Sequence, residues 1–299
     1  MSDTLTRSAA STSPVPPALR TPRPITDRLL TVVSFGVLAF LFAPIVVIVA
    51  YAFNDGRLLL AWEKFGLAPF AAIVNKPEIQ DAVLVSVRTG LMTAAVATIL
   101  GTLAGIALAR HSGKWALWFG GLLLLVSVTP EIVIGVSLLP WFVNLSQNGG
   151  LIAFDNGFVR LVVGHSLFTI AVVSYIVRAR LAGVENALEE ASADLYARPF
   201  TTFRRITLPL AMPAVIAGFM LSFTFSLDDT IIAAFVQVSG TTPWPVYVLS
   251  ALRTGLRPEI AAISTIMLIL TLLALAVVAL VLRRAGDSTS QIARTMTGG

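Results

Sequence analysis

Cysteine is absent from this chain of 299 residues, and histidine occurs only twice, at His111 and His165. Without a thiol there is neither a disulfide framework nor a thiolate metal site. Two isolated histidines do not indicate a metal cluster, and no nucleophile with a convergent base is visible in the sequence. These absences argue against a membrane-embedded enzyme and against a resident metal ion.

Charge is scarce as well. Charged residues make up 12% of the chain and hydrophobic residues 56%, with a mean hydropathy of +0.86. A soluble domain carries about 25% charged residues. The composition therefore predicts an integral membrane protein, and the formal charge of +5 is better explained by membrane topology than by a nucleic-acid partner.

Long apolar runs predict an all-α, polytopic membrane protein with six transmembrane helices. The expected spans are residues 29–53, 83–109, 116–142, 160–177, 208–227 and 260–282, each near or above the roughly 17–25 residues that cross a bilayer. In the second span, "GTLAG" has the small-xxx-small spacing that lets helices approach closely. The first run is too long for a signal peptide and lacks a clear cleavage site.

The distribution of Lys and Arg predicts the orientation. With both termini inside, 14 of the 21 Lys and Arg residues fall in cytoplasmic segments, namely 1–28, 110–114, 178–205 and 283–294. We therefore expect three regions: a flexible cytoplasmic tail (1–28), a transmembrane domain (29–282) and a cytoplasmic C-terminal tail (283–299).

One cytoplasmic loop carries a distinctive pattern. Helix formers precede Pro199, which we expect to end or kink a first helix, and a second short helix, "FTTFRRI", follows. Leu188, Ala191 and Leu195 recur at helical spacing and form an apolar stripe. The loop is either an amphipathic helix on the membrane surface or a docking element for a cytoplasmic partner.

The stretch "EASADLYARPFTTFRRITLP" resembles the EAA loop of ABC-importer permeases with a MetI-like core. The loop, about 184–209, is called the coupling loop below. Its spacing is complete, and the matching positions are Glu190, Ala191, Ser192, Ile206, Leu208 and Pro209. Tyr196 occupies the position where the family usually has Gly, so the turn or the groove that receives it is expected to differ.

The resemblance implies a set of partners. Two ATPase subunits would receive the loop, chiefly through Glu190, Ala191 and Asp194, with Arg204 and Arg205 in support. A second, homologous permease and an external solute-binding protein complete such importers, which work by alternating access. This chain lacks the G-x-x-x-x-G-K-[ST] phosphate loop, so ATP and Mg would be bound by the ATPase subunits and no cofactor by this chain. A channel or scaffold without ATP coupling is the competing interpretation, and the loop argues against it.

Three further stretches are similar to the spermidine/putrescine permeases of the PotC and PotI type. They are "TPEIVIGVSLL", "LSFTFSLDDTIIAAFV" and "PVYVLSALRTGLRPEIAAISTIMLIL". The similarity implies a polyamine cargo, although related permeases for other small solutes share much of the pattern.

The chemistry of polyamines indicates the same cargo. Their ammonium groups need carboxylates to offset lost hydration and aromatic faces for cation–π contact. The candidates for a cargo pathway are Asp228, Asp229, Glu131, Trp141, Tyr175, Trp244 and Tyr247. By helical rise, residue 228 lies about 28 Å beyond Pro209, toward the outer side of the bilayer.

Each candidate also has a structural interpretation. "SLDD" has the form of a capping box, with Ser226 followed three residues later by Asp229, and a break near residue 228 is expected in so long an apolar run. Glu131 follows Pro130 and fits a helix terminus at a local break. The aromatic residues fit membrane-interface or packing roles, and His165 fits an interhelical hydrogen bond.

Overall fold

The computed structural model describes residues 24–56, 61–182, 187–255 and 257–284. Within these ranges the chain is helical, and the only extended pairing is one isolated bridge between Asn54 and Phe65. The α-helices are α1 (Pro24–Tyr51), α2 (Ala68–Ile73), α3 (Pro77–Arg110), α4 (Lys114–Val128), α5 (Glu131–Gln147), α6 (Gly157–Ala182), α7 (Ala187–Asp194), α8 (Pro199–Thr202), α9 (Leu208–Asp228), α10 (Ile231–Val236), α11 (Trp244–Thr254) and α12 (Pro258–Arg284). A 3-10 turn covers Ile152–Asp155, and a π-helical turn covers Phe203–Thr207.

The chain divides into two compact units, residues 1–47 and 48–299. In the first unit, the described part is the beginning of α1, whose side chains from residue 28 to 47 are all exposed and mostly apolar. Such a helix is suited to a lipid environment, since it is hydrophobic on every side. The second unit holds the remaining helices and the sites discussed below.

The predicted spans are found, with one correction. In the described part of the chain, five helices are long and apolar enough to cross a membrane, and α4 with α5 gives a sixth if the bent pair is counted as one span. The predicted span 116–142 is divided in two, because the chain bends by 101° between α4 and α5, and Glu131 lies at the local break that its position after Pro130 fits. Pro130 lacks an amide hydrogen and forces Thr129 into an extended conformation, with ψ of 129°, so α4 ends there.

Helix α3 packs closely against α6 through the glycines of "GTLAG". A Cβ on Gly101 would lie 2.6 Å from Val173 Cβ, and one on Gly105 would lie 2.6 Å from the Ser174 carbonyl oxygen. Neither position has room for a side chain. The small-xxx-small pattern thus marks a real helix contact, and the partner that the sequence left open is α6.

The coupling loop folds as a short helix, a turn, α8 and the π-helical turn that leads into α9. Residues 184–186 of the predicted loop lie outside the described residues, as do most of the two predicted tails. The expectation that Pro199 ends the first helix is wrong, because α7 already ends at Asp194 and Pro199 is the first residue of α8. Proline is favourable at that position, where its missing N–H would have no helical partner.

Candidate functional site

A cavity of about 140 Å³ brings together the three acids that the sequence singled out. It is called the acidic cavity below. Its lining residues are Glu131, His165, Phe168, Thr169, Phe225, Ser226, Asp228, Asp229 and Ile232. Glu131 is nearly a hundred positions away from the two aspartates in the chain, so folding creates this cluster.

All three carboxylates lie at interruptions of helices. Glu131 is the first residue of α5, directly after the bend at Pro130. Asp228 is the last residue of α9, and Asp229 stands between α9 and α10. The break expected near residue 228 is therefore confirmed. An interrupted helix leaves polar backbone groups, and such backbone is tolerated at membrane depth only where it is enclosed in protein or lines a cavity.

The two aspartates differ in environment. Asp228 is exposed, whereas the side chain of Asp229 is only 11% exposed. Asp229 Oδ1 accepts a hydrogen bond from the Ile232 amide at 3.0 Å and so caps the start of α10. The carboxylate of Asp229 thus caps α10 and also lines the acidic cavity.

His165 anchors α6 to α9 behind the aspartates. It is 2% exposed, and its Nδ1 lies within hydrogen-bond distance, 2.7 Å, of Ser226 Oγ. Its Nε2 lies 3.8 Å from Asp229 Oδ2. The expected interhelical hydrogen bond of His165 is confirmed. The expected capping box is wrong in form, because Ser226 lies inside α9 and its hydroxyl contacts His165 instead of capping a helix.

Two phenylalanines supply the aromatic surface of the acidic cavity. Phe168 and Phe225 meet edge to face, with ring centroids 5.6 Å apart and an interplanar angle of 72°. The sequence interpretation missed both residues. A usable signal was helical spacing, since Phe168 follows His165 by three residues and Phe225 precedes Asp228 by three, which places each pair on one helix face.

The four aromatic residues predicted for the pathway lie elsewhere. Trp141 packs near Phe142 and Phe154, and the Tyr175 hydroxyl donates to the Gly120 carbonyl at 3.0 Å. Trp244 and Tyr247 stack on each other at 5.6 Å. Tyr247 also lines a second cavity, of about 380 Å³.

That second cavity lies beside the start of α3. Lys76, just before α3, and Glu259, in the first turn of α12, form an ion pair at 2.5 Å in its wall. The acidic cavity, in contrast, has no Lys or Arg among the residues that line it in the described part of the chain.

In the coupling loop, the matched residues divide into an exposed and a buried set. The exposed side chains are Glu190, Ala191, Asp194, Tyr196, Arg204, Arg205 and Pro209, whereas Ile206 and Leu208 are half-buried. Ser192 is buried, and its hydroxyl lies 2.7 Å from that of Thr202, which ties α7 to α8. Most of the charged residues that the motif supplies therefore face outward, where a partner would meet them.

Tyr196 adopts a left-handed backbone conformation, the region that favours glycine. Its φ is +56°, the one positive value recorded for a non-glycine residue in the described chain. The Tyr196 amide donates to the Ala193 carbonyl at 2.9 Å, and the Ala197 amide donates to the Ser192 carbonyl at 3.1 Å. These two bonds are those of a Schellman motif, the usual end of a helix before a left-handed residue. The turn therefore ends α7 with a left-handed residue that carries an aromatic side chain, and that side chain is 96% exposed.

Glu189 is a residue that the sequence interpretation missed. Its Oε1 accepts hydrogen bonds from Arg110 Nε at 3.1 Å and from the Thr207 hydroxyl at 2.8 Å, and Arg110 Nη2 lies 3.0 Å from the same oxygen. The available signal was the pair Glu189–Glu190, since consecutive helical residues point about 100° apart. The two glutamates therefore lie on different faces of α7 and have different neighbours.

Comparisons with known proteins give matches in sequence and in fold. Residues 97–288 match the family described as "Binding-protein-dependent transport system inner membrane component". The spermidine/putrescine transport system permease protein PotC of Haemophilus influenzae is 36% identical over 80% of this chain and 90% of its own length. The putrescine transport system permease protein PotI of Escherichia coli K12 is 36% identical over 77% of this chain and 82% of its own length.

Solved structures match in fold. A bacterial ABC transporter involved in the import of the acidic polysaccharide alginate aligns with a TM-score of 0.66 at 14% identity, over 89% of this chain and 96% of that one. The MetNI methionine ABC transporter, in inward-facing conformations, aligns with a TM-score of 0.56 at 14% identity, over 73% of this chain and 98% of that one. At such identities the likeness concerns the fold alone.

Proposed function

Because this chain belongs to the family of binding-protein-dependent transport system inner membrane components, we propose that it is the permease subunit of an ATP-driven importer for polyamines. It is a multi-pass protein of the inner membrane. Putrescine and spermidine are the cargo class that we propose, and the chain supplies part of their pathway without chemistry of its own.

The acidic cavity is the observation that supports this cargo. Three carboxylates and two phenylalanine rings meet there, and its lining includes no Lys or Arg among the described residues. An ammonium group that leaves water loses hydration worth several kcal/mol, and nearby carboxylates offset that loss. Aromatic faces add about 0.5–2 kcal/mol of cation–π attraction. A pathway for anions would instead be lined by Arg or Lys.

The exposed face of the coupling loop supports an ATPase partner. Glu190, Asp194 and Tyr196 project outward from α7 and the turn that follows it. We propose that two ATPase subunits bind ATP and Mg, that one of them contacts this face, and that their closure moves the spanning helices. A second, homologous permease would complete the pathway, an external solute-binding protein would deliver cargo, and both termini would be cytoplasmic.

A competition experiment tests the cargo class. Cells that produce the chain, and matched cells from which it is deleted, take up radiolabelled putrescine in the presence of unlabelled competitors. Butane-1,4-diol replaces the two ammonium groups of putrescine by hydroxyls, and succinate is a dianion that also has four carbons. We expect putrescine and spermidine to compete, and the diol and succinate to have no effect. Equal competition by either control compound would overturn the polyamine assignment.

A second measurement tests ATP coupling. The affinity-tagged full-length chain is purified from the membrane together with its partners and assayed for ATP hydrolysis. We expect an ATPase subunit in the complex and uptake that stops when ATP is depleted. Uptake that continues without ATP would instead support a channel.

A further inference from the structure

Glu189 connects the coupling loop to the ends of two spanning helices. Arg110 is the last residue of α3, and Thr207 is the last residue of the π-helical turn before α9. One carboxylate oxygen of Glu189 contacts both, across 79 and 18 positions of the chain. These three residues are called the Glu189 junction.

The junction is shielded from water. The side chains of Arg110 and Glu189 are 12% and 23% exposed. Hydrogen bonds between ionised groups are shorter and stronger than hydrogen bonds between neutral groups. Ion pairs at the surface add little stability because solvent screens them, and this screening is weaker at the Glu189 junction, which is less exposed. We therefore expect the contacts of Glu189 with Arg110 and Thr207 to persist when α7 is displaced.

The helices that meet at the junction belong to the packed centre of the second unit. Helix α3 has no room for side chains at Gly101 and Gly105, where it lies against α6. Ala97 of α3 and Ala211 and Ala214 of α9 are buried in one apolar cluster. A displacement of Arg110 or Thr207 is therefore passed to closely packed helices, since cores at native density deform little.

We infer that Glu189 is the positioning residue through which movement of α7 reaches α3 and α9. This inference rests on the proposed function, in which an ATPase subunit contacts the outer face of the coupling loop. Glu190 presents its side chain to that partner, while Glu189 points inward and joins the spanning helices. The ion pair and the hydroxyl bond act as one joint because they share Oε1.

The test compares two ion pairs at opposite ends of α3. Glu189→Gln weakens the junction at Arg110, the last residue of α3, and Glu259→Gln weakens the Lys76–Glu259 pair beside its first residue. Each variant is purified in the complete transporter and reconstituted in vesicles. Putrescine uptake and ATP hydrolysis are measured on the same sample, which gives the cargo moved per ATP hydrolysed.

We expect the cargo moved per ATP to fall fivefold or more in Glu189→Gln, the lower range of ordinary coupling between sites. Glu259→Gln also removes one carboxylate charge from an ion pair, but at the end of α3 that does not contact the coupling loop. The same ratio should therefore stay within about twofold of wild type in this variant. An unchanged ratio in Glu189→Gln would overturn the inference. So would a parallel loss of uptake and hydrolysis, which is the mark of a residue that only stabilises the fold.

A milder variant covers the case in which Glu189→Gln does not assemble. Thr207→Val keeps the shape of the side chain and the ion pair but removes the hydroxyl donor. A ratio lowered twofold or more would support the inference, and an unchanged ratio would overturn it. Failure of the wild-type chain to bind any ATPase is a different result, because it overturns the proposed function itself.

Discussion

The acidic cavity and the coupling loop each contain two adjacent acids, and the two pairs are used in opposite ways. Asp228 and Asp229 line the same cavity, whereas Glu189 faces the spanning helices and Glu190 faces outward. The reason is local backbone geometry. The aspartates lie where α9 ends, and the glutamates lie within the regular helix α7, where successive side chains diverge by about 100°.

This difference shows how backbone geometry decides whether two adjacent acids line the same site. An intact helix separates neighbours onto different faces, so one motif serves two partners. An interrupted helix releases that constraint and lets neighbours converge on one ligand-sized space.

The largest effect is expected from neutralising both aspartates. Asp228→Asn combined with Asp229→Asn keeps the shape of the cavity but removes two of its three carboxylates. We expect putrescine uptake to fall tenfold or more, since unpaired or lost charge partners in buried sites cost about 2–5 kcal/mol. Uptake by cells that contain equal amounts of the assembled transporter measures this.

Glu78→Gln is the matched control, because Glu78 is an exposed acid that lines the second cavity. Normal uptake in the double variant, or an equal loss in Glu78→Gln, would contradict a cargo role for the aspartate pair.

A charge reversal at Glu190 is expected to act on the partner instead of the cargo. Glu190→Arg places a cation on the exposed face of α7, and like-charge contacts across an interface cost several kcal/mol. We expect at least tenfold weaker association with the ATPase subunit, measured by titrating that subunit against the purified chain.

The thermal midpoint of the purified chain should not move, since substitutions at exposed positions change stability by only about 0.5 kcal/mol. A lowered midpoint would show that Glu190 stabilises the fold. An unchanged affinity for the ATPase would show that the two glutamates are not divided between two partners.

A smaller effect separates the cap from the charge at Asp229. Asparagine caps a helix as aspartate does, whereas alanine does not, so Asp229→Ala should be about 1 kcal/mol less stable than Asp229→Asn. Thermal unfolding in one detergent measures the difference. At Asp228, whose side chain is exposed at the end of α9, the same two variants should differ little. A difference of similar size at both positions would contradict the capping role of Asp229.

The sequence predicted most of the helical frame, and its failures have physical causes. Apolar run length finds the spans, because a bilayer requires about 20 residues of hydrophobic helix. Run length does not give the 101° bend between α4 and α5, since the apolar run continues on both sides of Pro130, and only the pair Pro130–Glu131 indicates a local break there. A proline inside a run is compatible with a kink or a full break, and tertiary packing decides between them.

The site was predicted unevenly for the same kind of reason. Asp228, Asp229 and Glu131 were found because ionisable groups are rare and costly in apolar runs. The aromatic residues were not, because Phe168 and Phe225 are ordinary in a membrane helix and only their spacing from polar residues distinguishes them. Glu189 was missed because its role depends on a contact with Arg110, which is distant from it in the chain.

The smallest expected effect concerns the exposed aromatic residue at the end of α7. Tyr196 has φ of +56°, a conformation that costs a non-glycine residue about 1 kcal/mol or more. Tyr196→Gly relieves that strain but increases the freedom of the unfolded chain, which offsets roughly 0.4–1 kcal/mol of the gain. We expect the midpoint of thermal unfolding to stay the same or rise slightly.

The same variant should weaken binding of the ATPase subunit, because it removes a side chain that is 96% exposed on the outward face of the loop. Tyr196→Asn is the matched control, since asparagine tolerates a positive φ yet lacks the ring. If Tyr196→Gly and Tyr196→Asn both keep stability and both lose affinity, the ring is a contact for the partner. Unchanged affinity in both variants would instead show that the ring does not contact the ATPase subunit, which would leave the charged residues of α7 as the contacts.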